Sequence, residues 1–177
     1  MDYAIIGSSS QGNAVLIDGT ILCDCGVSWK QLKDAAKTVK IVLLTHVHSD
    51  HFRISTVKRL SSERPGLRWF GGKHMIEKLL STGVTAKRID ICEPRIDYLI
   101  GDYKITPIPL IHDVDNFGWI IEKDDQRMIY ATDTATMGHL DDLGMFDLIL
   151  IEGNHGEDEL QERIAEKELS GEKKKKK

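Results

Sequence analysis

The chain has 177 residues, 41% hydrophobic and 29% charged, which is enough for one domain with a substantial core and short for two. Its net charge of −4 hides an asymmetry: five of the 24 Lys and Arg form the run Lys173 to Lys177, and without them 19 cations face 28 carboxylates, a balance of −9. An acidic body excludes broad, sequence-independent clamping of nucleic acid, which needs many phosphate contacts, but it leaves room for a compact site whose positive charge comes from bound metal.

The first residues, Met1 to Gly7, lack the basic segment, apolar stretch and cleavage site of a secretory signal. No apolar run is long enough to span a membrane. A soluble cytoplasmic protein is expected. "YAIIG", "AVLID" and "ILCDCG", separated by "SSSQGN" and "GT", predict two or three strands joined by hairpin-like turns. Cys23 and Cys25 lie one residue apart on the last of these, and with Cys92 make an odd count. That argues against a disulfide framework, and alternation along a strand makes the first two small core residues before it makes them metal ligands.

A helix is predicted over Ser28 to Lys37, with Trp29, Leu32, Ala35 and Ala36 on one side and Ser28 as its cap. "KIVLLT" reads as a strand buried on both faces. A helix follows His51 and stops at "RPG"; "LRWFGG", a helix near Lys73 to Leu80, and strands around Ile89 to Cys92 and Tyr98 to Ile100 come next. The second half repeats one theme, an apolar strand ending in a residue able to bind metal. "KITPIPLIHD" ends at His112, "RMIYATDTA" at Asp133, and "DLILIEGNH" at Glu152, Asn154 and His155. Pro107 and Pro109 predict that the first of these strands lies at a sheet edge or is interrupted. Residues 157 to 169 have a helical pattern, and 171 to 177 form a disordered basic tail behind a single domain over 1 to 170. Strands with intervening helices imply an α/β sandwich with helices covering the sheets.

The chemistry concentrates in "LLTHVHSDH", residues 43 to 51. Residues two apart point in opposed directions on a helix but share a side in an extended segment, so His46, His48 and Asp50 converge only on an extended loop leaving the strand. His46 and His48 then grip one metal, while Asp50 and His51 turn toward a second. Imidazole and carboxylate donors suit Zn²⁺, with Mn²⁺ or Fe²⁺ as alternatives, and paired cations are hydrolytic machinery. His112 and Asp133 are available to complete the set. A lone histidine is more often an ordinary core or surface residue, and His74 reads that way, as exposed or capping. Three histidines and an aspartate within six positions do not.

"THVHSDH" resembles the HxHxDH signature of metallo-β-lactamase-fold hydrolases, and the resemblance runs to about His155. "GSSSQGN", "LCDCG", "IHD", "YATDTA" and "LIEGNH" are most similar to the WalJ (YycJ) branch, with bacterial and phage-borne members. The resemblance implies an αββα sandwich of two mixed sheets flanked by helices. It implies two divalent metal ions, zinc first. His46, His48 and His112 would hold one metal, Asp50 and His51 the other, and Asp133 would bridge them. Asp50 would also orient a nucleophilic hydroxide, His155 would assist catalysis or substitute for a missing ligand, and Asp24 would steady a ligand histidine.

Asn13, beside the site in "GSSSQGN", and Asn154 would contact substrate. As a phosphate-cradling loop "GSSSQGN" is weak, since it lacks the Gly-Lys-Ser/Thr ending and leads into a strand. The branch usually continues into a "GHLS"-like strand, where this sequence runs into "LSGEKKKKK", so a shortened C-terminus and an incomplete second site are expected. Arg53, Lys58, Arg59, Arg64 and Arg68 either line a phosphate path or form a solvated helix face. The expected activity is phosphodiester hydrolysis on nucleic acid or a nucleotide. Two alternatives remain: a lactone or thioester hydrolase on the same metals, and a metal-binding or nucleotide-binding protein without turnover.

Overall fold

The structure, a computed structural model, describes residues 1–136 and 138–151. The expected helix over 157 to 169, the tail, and the candidate site residues Glu152, Asn154 and His155 lie outside the described residues.

Strands β1 (Tyr3–Gly7), β2 (Ala14–Ile17), β3 (Ile21–Cys23), β4 (Ile41–Leu43), β5 (Arg68–Gly71) and β6 (Ile89–Ile91) form a six-stranded sheet in chain order. The first three pair antiparallel and β3 through β6 pair parallel. The second sheet has five strands: β7 (Tyr98–Ile100), β8 (Tyr103–Leu110), β9 (Asn116–Lys123), β10 (Gln126–Ala131) and β11 (Leu148–Ile151). All its pairs are antiparallel except β10 with β11. Both sheets are mixed, and the expected α/β sandwich is what the chain adopts.

Period-two alternation sorts the strand side chains into layers. Ile21, Cys23, Ile41, Leu43 and Phe70 point between the sheets, where they meet Ile105, Trp119, Ile121 and Met128. Their neighbours Leu22, Val42, Leu44 and Trp69 point the other way. They pack on α1 (Trp29–Leu32), α2 (Ile54–Glu63) and α3 (Ile76–Ser81) through Leu32, Val57, Leu60 and Leu79. On the far side of the second sheet, Ile108, Ile120 and Ile129 are covered by Leu143 and Phe146 on the crossover to β11. Strands β3 and β4 are apolar on both faces because both faces are covered. Among the described residues no helix is long and apolar enough to cross a membrane.

Two expectations need correction. The helix over Ser28 to Lys37 is two pieces, α1 and a 3₁₀ turn at Ala35–Lys37. Arg64 anchors the end of the second piece, where its guanidinium donates to the carbonyls of Ala36 and Val39. Strand β8 is neither interrupted nor an edge along its whole length; it lies between β7 and β9. Its prolines are tolerated because β7 pairs only with Tyr103 to Ile105. The carbonyl of Pro107 accepts from the Arg95 amide, so its backbone polar groups face the side away from β9, where no ladder partner waits for the missing N–H.

Candidate metal centre

Four chain segments meet at one end of the sandwich, each just past the carboxyl end of a strand. Asp24 follows β3, residues 45 to 51 follow β4, His112 follows β8 and Asp133 follows β10. Side chains at strand ends are held by the sheets yet freed from the ladder, which is where open α/β sheets place ligands.

The loop after β4 already bends at Val47 and His48. The amides of His51 and Phe52 then both donate to the His48 carbonyl, at 3.1 and 2.7 Å, closing a turn. That turn, rather than continued extension, swings Asp50 and His51 toward Asp133. It rests directly on the segment after β3: a Cβ on Gly26 would sit 1.6 Å from the Asp50 carbonyl oxygen. Only a residue without a side chain permits this approach. The Asn13 amide donates to the same carbonyl at 2.6 Å, and the Cys25 amide to that of His51 at 2.8 Å.

The side chains form two groups that share Asp133. Donor atoms of His46, His48, His112 and Asp133 lie within 4.8 Å of one another, as do those of Asp50, His51 and Asp133. Ligand atoms around a tetrahedral Zn²⁺ at its usual bond lengths stand about 3.4 Å apart. Here His46 Nε2 is 3.4 Å from Asp133 Oδ2, and His48 Nδ1 is 3.2 Å from His112 Nε2. His46 Nε2 is fully buried with no hydrogen-bond partner. A buried imidazole nitrogen whose contact is a carboxylate oxygen at 3.4 Å, aimed into a ring of lone-pair donors, is a ligand atom by its surroundings. In the second group His51 Nε2 is 3.0 Å from Asp133 Oδ2 and 3.7 Å from Asp50 Oδ2. The donor set therefore fits divalent metal.

Asp24, fully buried, governs the proton positions. Its Oδ2 accepts from His51 Nδ1 at 2.7 Å and from the Tyr130 hydroxyl at 3.0 Å. Its Oδ1 accepts from the Thr45 amide at 2.9 Å. The Thr45 hydroxyl lies 3.0 Å from both carboxylate oxygens and 3.0 Å from His46 Nδ1. A carboxylate only accepts, so the single hydroxyl proton goes to Asp24 and Thr45 Oγ1 receives Nδ1–H of His46. One buried carboxylate thus fixes Nδ1–H on His51 directly and on His46 through Thr45, turning both Nε2 atoms toward the cluster.

Burial alone would lower the His51 pKa, but the charges of Asp24 and Asp133 outweigh it and push it up to about 10. His46 and His51 beside Asp133 hold its carboxyl well below the usual range. His112 is lowered, first by burial and then by the charge of His46. Asp133 adopts φ 50°, a left-handed conformation uncommon outside glycine, held by the Asn116 side-chain amide on the carbonyls of Thr132 and Asp133.

Asn13 is buried against His51, its Nδ2 at 2.9 Å from Nε2, while its Oδ1 accepts from the Ser9 amide. Of the five cations after the motif, Arg59 pairs with Glu63, Arg64 with backbone carbonyls and Arg68 with Asp90, leaving Arg53 and Lys58 as exposed side chains on that helix. Cys23 and Cys25 are buried core thiols whose pKa values burial raises, and neither belongs to a ligand group. The expectation for His74 is wrong. Its ring is half-buried, with Nε2 3.0 Å from the Thr45 carbonyl and a face-to-edge contact with Phe117. Since a carbonyl only accepts, Nε2 carries the proton, and the bond steadies the residue before His46. Thr45, Asn116, Tyr130 and His74 were not legible as site residues. A buried Asn opening an apolar strand was the one available signal.

A comparison with curated proteins finds no match. Among solved structures the chain is similar to the metallo-beta-lactamase fold protein YhfI from Bacillus subtilis, with TM-score 0.65 and 20% identity over 83% of this chain and 68% of that one. It is similar also to human tRNase Z, short form, with TM-score 0.63 and 17% identity over 84% and 76% of the two chains. A diphosphatase from the PhnP family gives TM-score 0.62 and 18% identity over 83% and 71%. At these identities the likeness is one of fold. The family model described as the beta-lactamase superfamily domain matches residues 19–168, most of the chain, and the chain belongs to that family.

Proposed function

We propose that the chain is a metal-dependent phosphodiesterase, most like the WalJ (YycJ) branch, acting on nucleic acid or a nucleotide. The observation that carries this reading is the sharing of Asp133 between two donor groups. Such a pair holds two cations close enough to act on one scissile centre. His46, His48, His112 and Asp133 would hold one ion, and Asp50, His51 and Asp133 the other. Bound divalent metal would supply the nucleophile at neutral pH and offset charge developing on phosphorus. Similarity of fold to tRNase Z and to a PhnP-family diphosphatase supports a phosphorus-centred reaction.

The chain's own residues do the rest. Asp50, part-exposed at the end of the His48 turn, accepts a proton from the attacking water. The water oxygen bonds to phosphorus, the ester P–O bond breaks, and the leaving oxygen takes up the proton that Asp50 received. Asp24 and Thr45 keep His46 and His51 in one tautomer throughout. The test is protein reconstituted with Zn²⁺ or Mn²⁺ and assayed on bis(p-nitrophenyl) phosphate, single- and double-stranded DNA, and a lactone. Turnover of phosphodiesters is expected, and His46→Ala should lower bound metal. Turnover of the lactone alone would favour the ester reading, and stoichiometric metal without any turnover would leave a binding protein.

A further inference from the structure

His112 forms part of the wall of a cavity of about 690 Å³ beside the donor clusters. We propose that this cavity seats one uncharged, apolar or aromatic substituent of a small phosphodiester, and that the enzyme prefers such substrates to a polynucleotide strand. This rests on the proposed function and names its substrate class.

The floor is apolar and fixed. Phe117 and Leu110 are each 8% exposed, and Cys92 is 3% exposed. Burial pushes the Cys92 thiol up to about 12, so it stays a neutral wall. The Phe117 ring is held edge-on by His74 at 5.3 Å, and its amide donates to the Thr45 carbonyl at 3.1 Å. One side wall is the loop carrying Pro94 and Ile96. That loop is pinned to β8 by the Arg95 amide on the Pro107 carbonyl at 2.7 Å. Ile96 and Ile111, which both line the cavity, are 51% and 48% exposed, apolar surface that a substituent would cover. A preformed apolar pocket beside the reacting centre is the usual form of a small-molecule subsite.

Charge decides what kind of ligand enters. Glu93, Asp113 and Asp115 line the cavity with a single Lys73, and of the three carboxylates Asp113 also stands 3.1 Å from His112 Nε2. A nucleic-acid strand places a phosphate at about every 3.4 Å of its axis, so a strand crossing this mouth would set successive phosphates against carboxylates. A single substituent with no further phosphate avoids that repulsion. The other large cavity, about 700 Å³ at the opposite end of β4, does not serve as a phosphate path in its place. Of its cations Arg64 is taken by backbone carbonyls, Arg68 by Asp90 and Lys123 by Asp18, which leaves Lys40 alone, too little for a run of phosphates.

The test compares p-nitrophenyl phosphodiesters carrying methyl, phenyl or 4-sulfophenyl as the second group, on metal-loaded protein. A wild-type kcat/KM at least about tenfold higher for phenyl than for methyl is expected, the gain that hydrophobic pockets give. The 4-sulfophenyl ester should lose most of that gain. In Ile96→Asp, at a half-exposed position that tolerates a polar residue, the phenyl-to-methyl ratio should fall toward one. A binding arm runs beside it by equilibrium dialysis, with phenyl phosphate expected to bind at least about tenfold tighter than inorganic phosphate and to lose that margin in Ile96→Asp. Diesters that turn over with equal kcat/KM, or a ratio untouched by Ile96→Asp, overturn the pocket and leave the phosphodiesterase standing. If no diester turns over while phenyl phosphate keeps its Ile96-dependent margin, the pocket stands and the phosphodiesterase falls. Equal binding of phenyl and inorganic phosphate without turnover overturns both.

Discussion

At the scale of single residues, His51 is where metal and proton compete. Its Nε2 lies between the Asp133 carboxylate, which accepts, and the Asn13 amide nitrogen, which donates. A proton on Nε2 satisfies the first and opposes the second, and a lone pair does the reverse. In the metal-free protein the charges of Asp24 and Asp133 decide for the proton and raise the pKa from 6.5 to about 10. The sign follows: the folded pKa lies above the unfolded one, so the stability His51 contributes is complete below about pH 6.5 and is lost as pH rises through about 10. A cation at Asp50, His51 and Asp133 must displace that proton. Its apparent affinity should therefore rise about tenfold per pH unit between about 7 and 9, with one proton released per ion bound. Calorimetry in buffers of different ionisation enthalpy counts that proton, and a heat of binding independent of buffer would refute the assignment. His112 behaves otherwise, because its pKa is lowered by burial and by His46 and it meets a metal already neutral near pH 7.

At the scale of elements, the tight turn from His48 to Phe52 depends on the segment after β3. Gly26 is the contact, and in Gly26→Ala the new methyl would overlap the Asp50 carbonyl at 1.6 Å. Both sides of that contact are backbone, pinned by amides of Asn13, Cys25 and Arg53, so neither can swing aside as a flexible side chain would. The substitution should cost at least about 1–3 kcal/mol, seen as a fall of several degrees in Tm, and should weaken metal binding with it. Unchanged Tm and unchanged metal content would show that the turn does not need this approach. The same elements mark what sequence pattern could reveal. The HxHxDH spacing is local, so its chemistry was legible, and so were the strand ends at His112 and Asp133, because apolar runs stopping at polar residues are a one-dimensional signal. The partners that orient these ligands were not. Tyr130 reaches Asp24 across 106 positions and His74 reaches Thr45 across 29, and no periodicity connects residues that far apart. The anchoring of the 3₁₀ turn by Arg64 was hidden for the same reason, since Arg64 ends a later element.

At the scale of the whole molecule, the metal centre draws on both layers of the sandwich. His46, His48, Asp50 and His51 leave the six-stranded sheet, whereas His112 and Asp133 leave the five-stranded one. Between them the sheets share an apolar layer, and near the site they are joined by Phe117 to Thr45 and Tyr130 to Asp24. An ion bound by both sheets prefers the folded state, in which the donors are assembled, over the unfolded chain, in which they are scattered. At a hundredfold excess over its Kd it should add about 2.7 kcal/mol. For a protein of this size that is a Tm rise of about 5–10 °C, reversed by chelation. The decisive comparison is His112→Ala. This side chain is part-exposed and packs little of the core, so its loss should leave the metal-free Tm within about 1–2 °C of wild type. It removes one of the two donors that the second sheet contributes among the described residues, and the part of the Zn²⁺-dependent rise due to an ion at His46, His48, His112 and Asp133 should go with it. A variant that kept the full rise would show that His112 holds no ion, and would leave Asp133 as the donor by which the second sheet reaches the centre.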